Sequence, residues 1–408
     1  MRLSGRGLVA AMCLGQIGNL LPHVAVPAIM AQHLMPLWGL SASEAGLMAS
    51  SFAVGYMLAV PVLTTLTDRI DARLVLIAGS AVSCLATIAF GLFADGVVSA
   101  SLIWALAGIG FAGAYMPGLK ALTDRLGPGD ASRSVTLYTA CFSFGVGLSF
   151  LIAQLAADRW GWRAAFLVTG PGALVMVAAA LALAPVRPAP AAGGLLDFKP
   201  VVGNRPAMGY ILGYGAHCFE LYGVRTWIVA FWAFVAGRHA EGAILEPVTV
   251  SVIVAVMAMP ASIIGNECAI RFGRHRAIAV FMTTSAVVGA AIGIAAGWGP
   301  PALLLGLVLL YAVTVPADSG ALTSGMAASA APQSRGATMA LHSTVGFGLS
   351  AAGAWGMGVA LDAGGGPGTA SGWLAGFLLL AAGVLLGPLA LWWSRARPAR
   401  SPAQKPGG

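Results

Sequence analysis

Three ionisable residues, His217, Glu220 and Arg225, sit inside one apolar stretch at about 207–236, followed by Trp227. Such groups are costly within a membrane-length segment and usually face an aqueous cavity. At about 100° per residue, Glu220 lies roughly 60° to one side of His217 and Arg225 about 80° to the other. One side of a helix thus presents all three within about 140°. His217 and Glu220 are three apart and can touch; Glu220 and Arg225 are five apart and do not stack, so each needs its main partner elsewhere. The chemistry on offer is proton exchange at Glu220, modulated by His217, and anchoring of an anionic group by Arg225. The structural alternative is a buried polar network between helices, with Arg225 snorkelling to an interface.

Two other apolar stretches carry matching groups. Gln16, Asn19 and His23 fall at i, i+3 and i+7, a single polar face that lines a cavity or bonds a neighbouring helix. Pro22 and Pro27 are expected to bend that helix and free backbone carbonyls. Asp318, next to Ser319, is a second carboxylate for proton binding, with Tyr311 seven residues before it on the same face. Lys120 either complements Asp318 or snorkels to the surface, and the second is favoured. His342 is a lone histidine for which a structural role is expected, and Tyr56, Tyr115 and Tyr138 are further cavity hydrogen-bonders.

The elements that must position these residues follow from composition. Of 408 residues, 58% are hydrophobic and 9% charged, and mean hydropathy is +0.86. Soluble domains carry about 25% charged residues. So few charges cannot cover a soluble surface, so the chain must sit in lipid; a cytosolic enzyme, a disulfide scaffold and a disordered protein are excluded. Cys13, Cys84, Cys141, Cys218 and Cys268 lie in apolar surroundings without a C-x-x-C pair and read as small hydrophobes. No metal site, cofactor or nucleotide loop is expected. Arg2 and Arg6 precede an apolar run reaching Gln32, which is too long for a signal peptide and reads as an uncleaved first span.

Twelve stretches are long enough to cross a bilayer, which takes about 20 residues. They run near 7–32, 45–67, 74–94, 96–119, 134–157, 164–186, 207–236, 247–266, two within 277–317, 336–361 and 372–394. The pair within 277–317 divides at Gly297-Trp298-Gly299-Pro300-Pro301. Period-2 alternation is absent, so all are helices. With the N-terminus cytoplasmic, seventeen basic residues fall in cytoplasmic loops against three, Arg159, Arg163 and Arg238, on the other side. That asymmetry puts both termini inside and explains the net charge of +8 without nucleic acid. The Pro/Gly-rich connection 187–206 separates six spans, 1–186, from six more, 207–395, and 396–408 forms a cytoplasmic tail. Ala121-Leu122-Thr123 recurs as Ala321-Leu322-Thr323, Gly145-x-Gly147-Leu148-Ser149 as Gly346-x-Gly348-Leu349-Ser350, and Arg69 and Arg133 align with Arg271 and Arg335. Offsets of 200 to 202 across several loops indicate a duplicated six-helix unit. Gly108-Ile109-Gly110-Phe111-Ala112-Gly113 formally matches a dinucleotide fingerprint, but it lies inside a span and reads as a helix-packing surface.

The duplicated halves, the central linker and a basic loop after span two together resemble the major facilitator superfamily over nearly the whole chain. In that loop, Asp68-Arg69-Ile70-Asp71-Ala72-Arg73, residues Asp68, Arg69 and Arg73 match the family pattern G-x-x-x-D-R-x-G-R-R/K; Thr64, Asp71 and Ala72 depart from it. The second half keeps R-x-G-R at Arg271, Gly273 and Arg274 without the aspartate. The resemblance implies an all-α membrane protein of two pseudo-symmetric six-helix bundles. It also implies a central cavity lined by spans one and seven, and a cytoplasmic gate latched through Asp68, Arg69, Arg73, Arg271 and Arg274. Trp104 stands where span four usually has arginine, and the fifth-span Gly-Pro of drug antiporters is missing from 144–149. The expected function is secondary active transport of a small solute, such as a carboxylate, coupled to protons, by a monomer in a bacterial inner membrane. Efflux of amphipathic compounds is the runner-up, and a non-transporting receptor or scaffold is the rival from another class. A membrane-embedded enzyme is disfavoured, because no nucleophile–base constellation stands out.

Overall fold

The computed structural model describes residues 5–126, 131–188, 197–238, 244–331 and 334–395, and among these the regular elements are helices without strands. The membrane-length helices are α1, a bent pair Gly5–Leu20 and Ala25–Trp38; α2, Ala42–Leu66; α3, Ala72–Phe93; α4, Val97–Thr123; α5, Arg133–Trp160; and α6, Trp162–Leu181. They continue as α7, Arg205–Gly237; α8, Pro247–Phe272; α9, Arg274–Ala295; α10, Pro301–Ser329; α11, Arg335–Ala363; and α12, Ala370–Ser394. Eleven are single helices, and the pair bent by 47° makes the twelfth. Arg2, the linker segment 189–196 and the tail 396–408 lie outside the described residues.

Hydrocarbon offers no hydrogen bonds, so each segment satisfies its backbone internally as a helix. Leu58, Phe93 and Leu102 project from the outside of the bundle, and Trp160, Trp298 and Trp392 are exposed near helix ends. Indoles favour that headgroup level, with an apolar body and one N–H to satisfy.

Helix neighbours repeat with a shift of six. α1 packs on α5 and α6, α2 on α4, and α3 on α4 and α6. Likewise α7 packs on α11 and α12, α8 on α10, and α9 on α10 and α12. The two six-helix bundles meet where α2 lies on α11, α5 lies on α8, and the second limb of α1 touches α7. Association in lipid rests on close packing rather than on expulsion of water. Gly108 and Gly110 of α4 supply that closeness: the first abuts the Phe52 carbonyl of α2, the second the Ser83 backbone of α3, and neither leaves room for a Cβ. The apparent dinucleotide motif is therefore a packing surface.

Two interruptions place functional side chains. Pro22 lacks an N–H, and α1 opens into turns over 21–24. Ser149 of α5 repairs the gap: its hydroxyl donates to the Leu21 carbonyl at 2.6 Å and accepts from the Val24 N–H at 3.1 Å. His23 is thereby held at the bend. α10 tightens into a 3-10 turn over Pro316–Asp318, and Gly265 of α8 lets that helix lie directly on the Ala317 carbonyl.

Candidate substrate and proton site

Glu220 is buried in the second bundle between α7, α9 and α10. Tyr311 OH donates to its Oε1 at 2.9 Å and Ser285 Oγ lies 2.9 Å from its Oε2. Ser285 Oγ is also 3.1 Å from the Met282 carbonyl, and its single hydrogen can serve only one acceptor at a time. An ionised Glu220 receives that hydrogen. A protonated Glu220 donates to Ser285 Oγ, whose hydrogen then turns to Met282. Both protonation states of Glu220 thus keep their hydrogen bonds.

His217, one turn earlier on α7, does not pair with Glu220. Its Nδ1 lies 2.6 Å from Oδ1 of Asp318, and both side chains are buried. The distance is that of an ion pair, but the angle is not that of a hydrogen bond, since both atoms lack a partner with bonding geometry. Tyr214 stacks between His217 and His342, at 5.6 and 3.9 Å between ring centroids. Asp318 is thus engaged within its own bundle. Lys120 pairs with Asp124 at 3.2 Å instead.

Arg225 faces the first bundle. It is 9% exposed, and its buried Nη1 has no hydrogen-bond partner among the described residues. Its guanidinium lies over Tyr222 at 4.9 Å and Phe142 of α5 at 5.8 Å. It borders two narrow cavities, one shared with His23, Phe52 and Ser350, the other with Ser251, Tyr311 and Pro316. Neither ring nitrogen of buried His23 has a partner among the described residues. On the same face of α1, Gln16 accepts from Tyr138 OH at 2.8 Å, while the side-chain nitrogen and oxygen of Asn19 are buried and unpartnered among the described residues. The polar face expected of span one exists: Gln16 is bonded to α5 through Tyr138, while the polar side-chain atoms of Asn19 and His23 have no partner among the described residues.

At the end bearing the 67–71 loop, the acid that gathers the arginines is Asp71. It accepts from Arg125 at 2.8 and 3.0 Å and from the Val186 N–H at 2.9 Å, and lies 3.6 Å from Arg73. Arg73 and Arg125 also donate to the Leu183 and Ala184 carbonyls, so α3, α4 and the end of α6 are tied within one bundle. Burial works to raise the Asp71 pKa, but these hydrogen bonds and the Arg125 charge outweigh it and hold the carboxyl below its usual range. Asp68 forms no ion pair among the described residues. It lines a cavity of about 330 Å³ with Thr64, Lys120 and Gly336, and its Oδ2 lies near the start of α11. Arg69 is exposed, Arg271 lies over Phe272 at 5.5 Å, and Nε of Arg274 is buried without a hydrogen-bond partner among the described residues.

The opposite end carries a contact that sequence reasoning missed. Asp362, last but one in α11, accepts from the Ala42 N–H at 3.0 Å, the Ser43 N–H at 2.7 Å and Ser43 Oγ at 2.6 Å. It caps the first turn of α2 across the bundle interface, where the helix dipole favours an anion. Beneath it, Trp227 Nε1 donates to the Ala354 carbonyl at 2.9 Å. The only sequence signal was an acid at a helix C-terminus, where the dipole disfavours it unless it serves another helix.

The sequence matches the family model described as Major Facilitator Superfamily over residues 8–354. No curated protein matches it. Similar solved structures include a bacterial homolog of the human lysosomal transporter Spinster, inward-facing and unoccupied, with TM-score 0.74, 19% identity, and coverage of 96% of this chain and 98% of that one. The same homolog, inward-facing and occupied, gives TM-score 0.70 at 19% identity with the same coverage. A point mutant of the nucleoside transporter NupG gives TM-score 0.71 at 13% identity, covering 95% of this chain and 100% of that one.

Proposed function

The chain belongs to the major facilitator superfamily, and from that membership we propose that it is a secondary active transporter of a small organic anion, driven by protons. The observation that carries the anion is Arg225, a buried guanidinium at the meeting of the two bundles with an unpartnered Nη1. An uncompensated buried charge is costly, so its retention calls for an anionic ligand. Glu220 is the coupling residue: it sits five positions away on the same helix, and its surroundings accommodate both protonation states. His217 and Asp318, in contact at the adjoining break in α10, are a second protonatable pair.

Residues 1–186 and 207–395 act as two bodies that rock about this plane, joined by 187–206. The basic end is cytoplasmic, in keeping with the positive-inside rule, and the membrane is a bacterial inner membrane. The Asp362 seal and the wide cavity at the basic end support a state closed outward. The direct test is binding of small carboxylates to the purified protein, read as thermal stabilisation. Stabilisation that disappears in a folded Arg225→Gln variant is expected; stabilisation that survives it contradicts the assignment.

A further inference from the structure

Resting on that reading of Arg225, we propose that the anion is an aromatic monocarboxylate, its carboxylate on Arg225 with His23 beside it and its ring against Phe52, Tyr222 and Phe142. The charge inventory sets the valence. Lys120 pairs with Asp124, Asp318 already has His217 at 2.6 Å and Glu220 has two hydroxyl partners, so Arg225 is the one buried arginine or lysine with no carboxylate at ion-pair distance among the described residues. A second carboxylate on the ligand would be buried without a partner, which disfavours dicarboxylates.

The surroundings set the body of the ligand. The His23 ring, at the bend of α1, lies 5.1 Å from Phe52, 5.0 Å from Phe111 and 5.4 Å from Phe142. Phe142 reaches both His23 and Arg225, so one ring borders both polar ends of the site. Aromatic faces and edges favour a flat ring over an aliphatic body of equal size. The unpartnered ring nitrogens of His23 provide a donor for the second carboxylate oxygen. Phe142 and Tyr222 are only half-buried, so they can turn aside to admit a ring where the cavities are now narrow.

The test is equilibrium binding to the full-length purified protein with benzoate, cyclohexanecarboxylate, terephthalate, benzyl alcohol and benzylamine. Benzoate should bind best. Arg225→Gln should weaken it on the order of 100-fold, as expected when one partner of a buried ion pair is removed. Phe142→Leu keeps an apolar side chain but removes the ring, and should cut the preference for benzoate over cyclohexanecarboxylate roughly three- to tenfold. Ligand-free melting temperatures establish that each variant is folded, and Phe142→Leu decides the matter if Arg225→Gln is not. Equal binding of the two monocarboxylates, an unchanged preference in Phe142→Leu, or tighter, Arg225-dependent binding of terephthalate overturns the aromatic monocarboxylate and leaves the anion reading standing. Binding of benzyl alcohol or benzylamine alone, or of no carboxylate at all, overturns the anion reading itself.

Discussion

Asp362→Ala should open the end of the protein opposite the basic loops. The carboxylate accepts three hydrogen bonds, at 3.0, 2.7 and 2.6 Å, from the first turn of α2. Hydrogen bonds to charged groups contribute about 1.5–3 kcal/mol each when buried. This site is half-exposed, and water replaces much of what is lost, so a net of about 2 kcal/mol for the three together is the appropriate scale. If the contact exists only in the outward-closed state, that amount raises the outward-open population about 30-fold. The assay is the reaction rate of a cysteine at Ala53, buried beneath the seal, with a water-soluble maleimide, after replacement of the five native cysteines. Asp362→Ala should accelerate labelling by up to about 30-fold, and Asp362→Asn, which keeps one acceptor oxygen, by less. An unchanged rate in a folded Asp362→Ala protein would show that the capped α2 terminus does not gate access.

The Asp71 carboxyl has a depressed pKa in the folded protein. Its stabilising contribution is therefore complete above the unfolded-state value of about 3.9 and lost as pH falls through the folded one. Asp71→Asn should lower the melting temperature at neutral pH, with the difference from wild type vanishing as the pH is taken into the acid range. Gly110→Ala forces a Cβ into the Ser83 backbone and should destabilise by about 1–3 kcal/mol, whereas Gly306→Ala, with open space around it, should be neutral or slightly stabilising in thermal unfolding. In intact cells, an impermeant thiol reagent should label a cysteine at Trp298 and spare one at Ile70; the reverse pattern would invert the topology.

The twelve helices were legible because lipid imposes long charge-free runs, and the proline-marked bend of α1 because Pro22 cannot continue a hydrogen-bond ladder. His217, Glu220, Arg225 and Asp318 stood out for the same reason, as ionisable residues in apolar company. Their pairings did not. Periodicity put Tyr311 and Asp318 on one face, and both meet α7, but at residues one turn apart: the Tyr311 hydroxyl reaches Glu220 and Asp318 lies against His217. Ser285 is an ordinary hydroxyl in an apolar helix until Glu220 is folded against it. Asp71 registered only as a departure from a family glycine, but it is the acid that binds Arg125 and lies beside Arg73. The contact between Asp362 and Ser43 joins residues 319 apart, and neither helix carries a repeating pattern that would announce it.

Accumulation of a carboxylate in proteoliposomes under an imposed pH gradient, compared between wild type and Glu220→Gln, tests the central claim most directly. Glutamine preserves the shape of the side chain and removes its titration. Wild type should accumulate the anion against its gradient, and Glu220→Gln should lose accumulation while still exchanging internal for external anion. Full gradient-driven accumulation by Glu220→Gln would contradict proton coupling at Glu220.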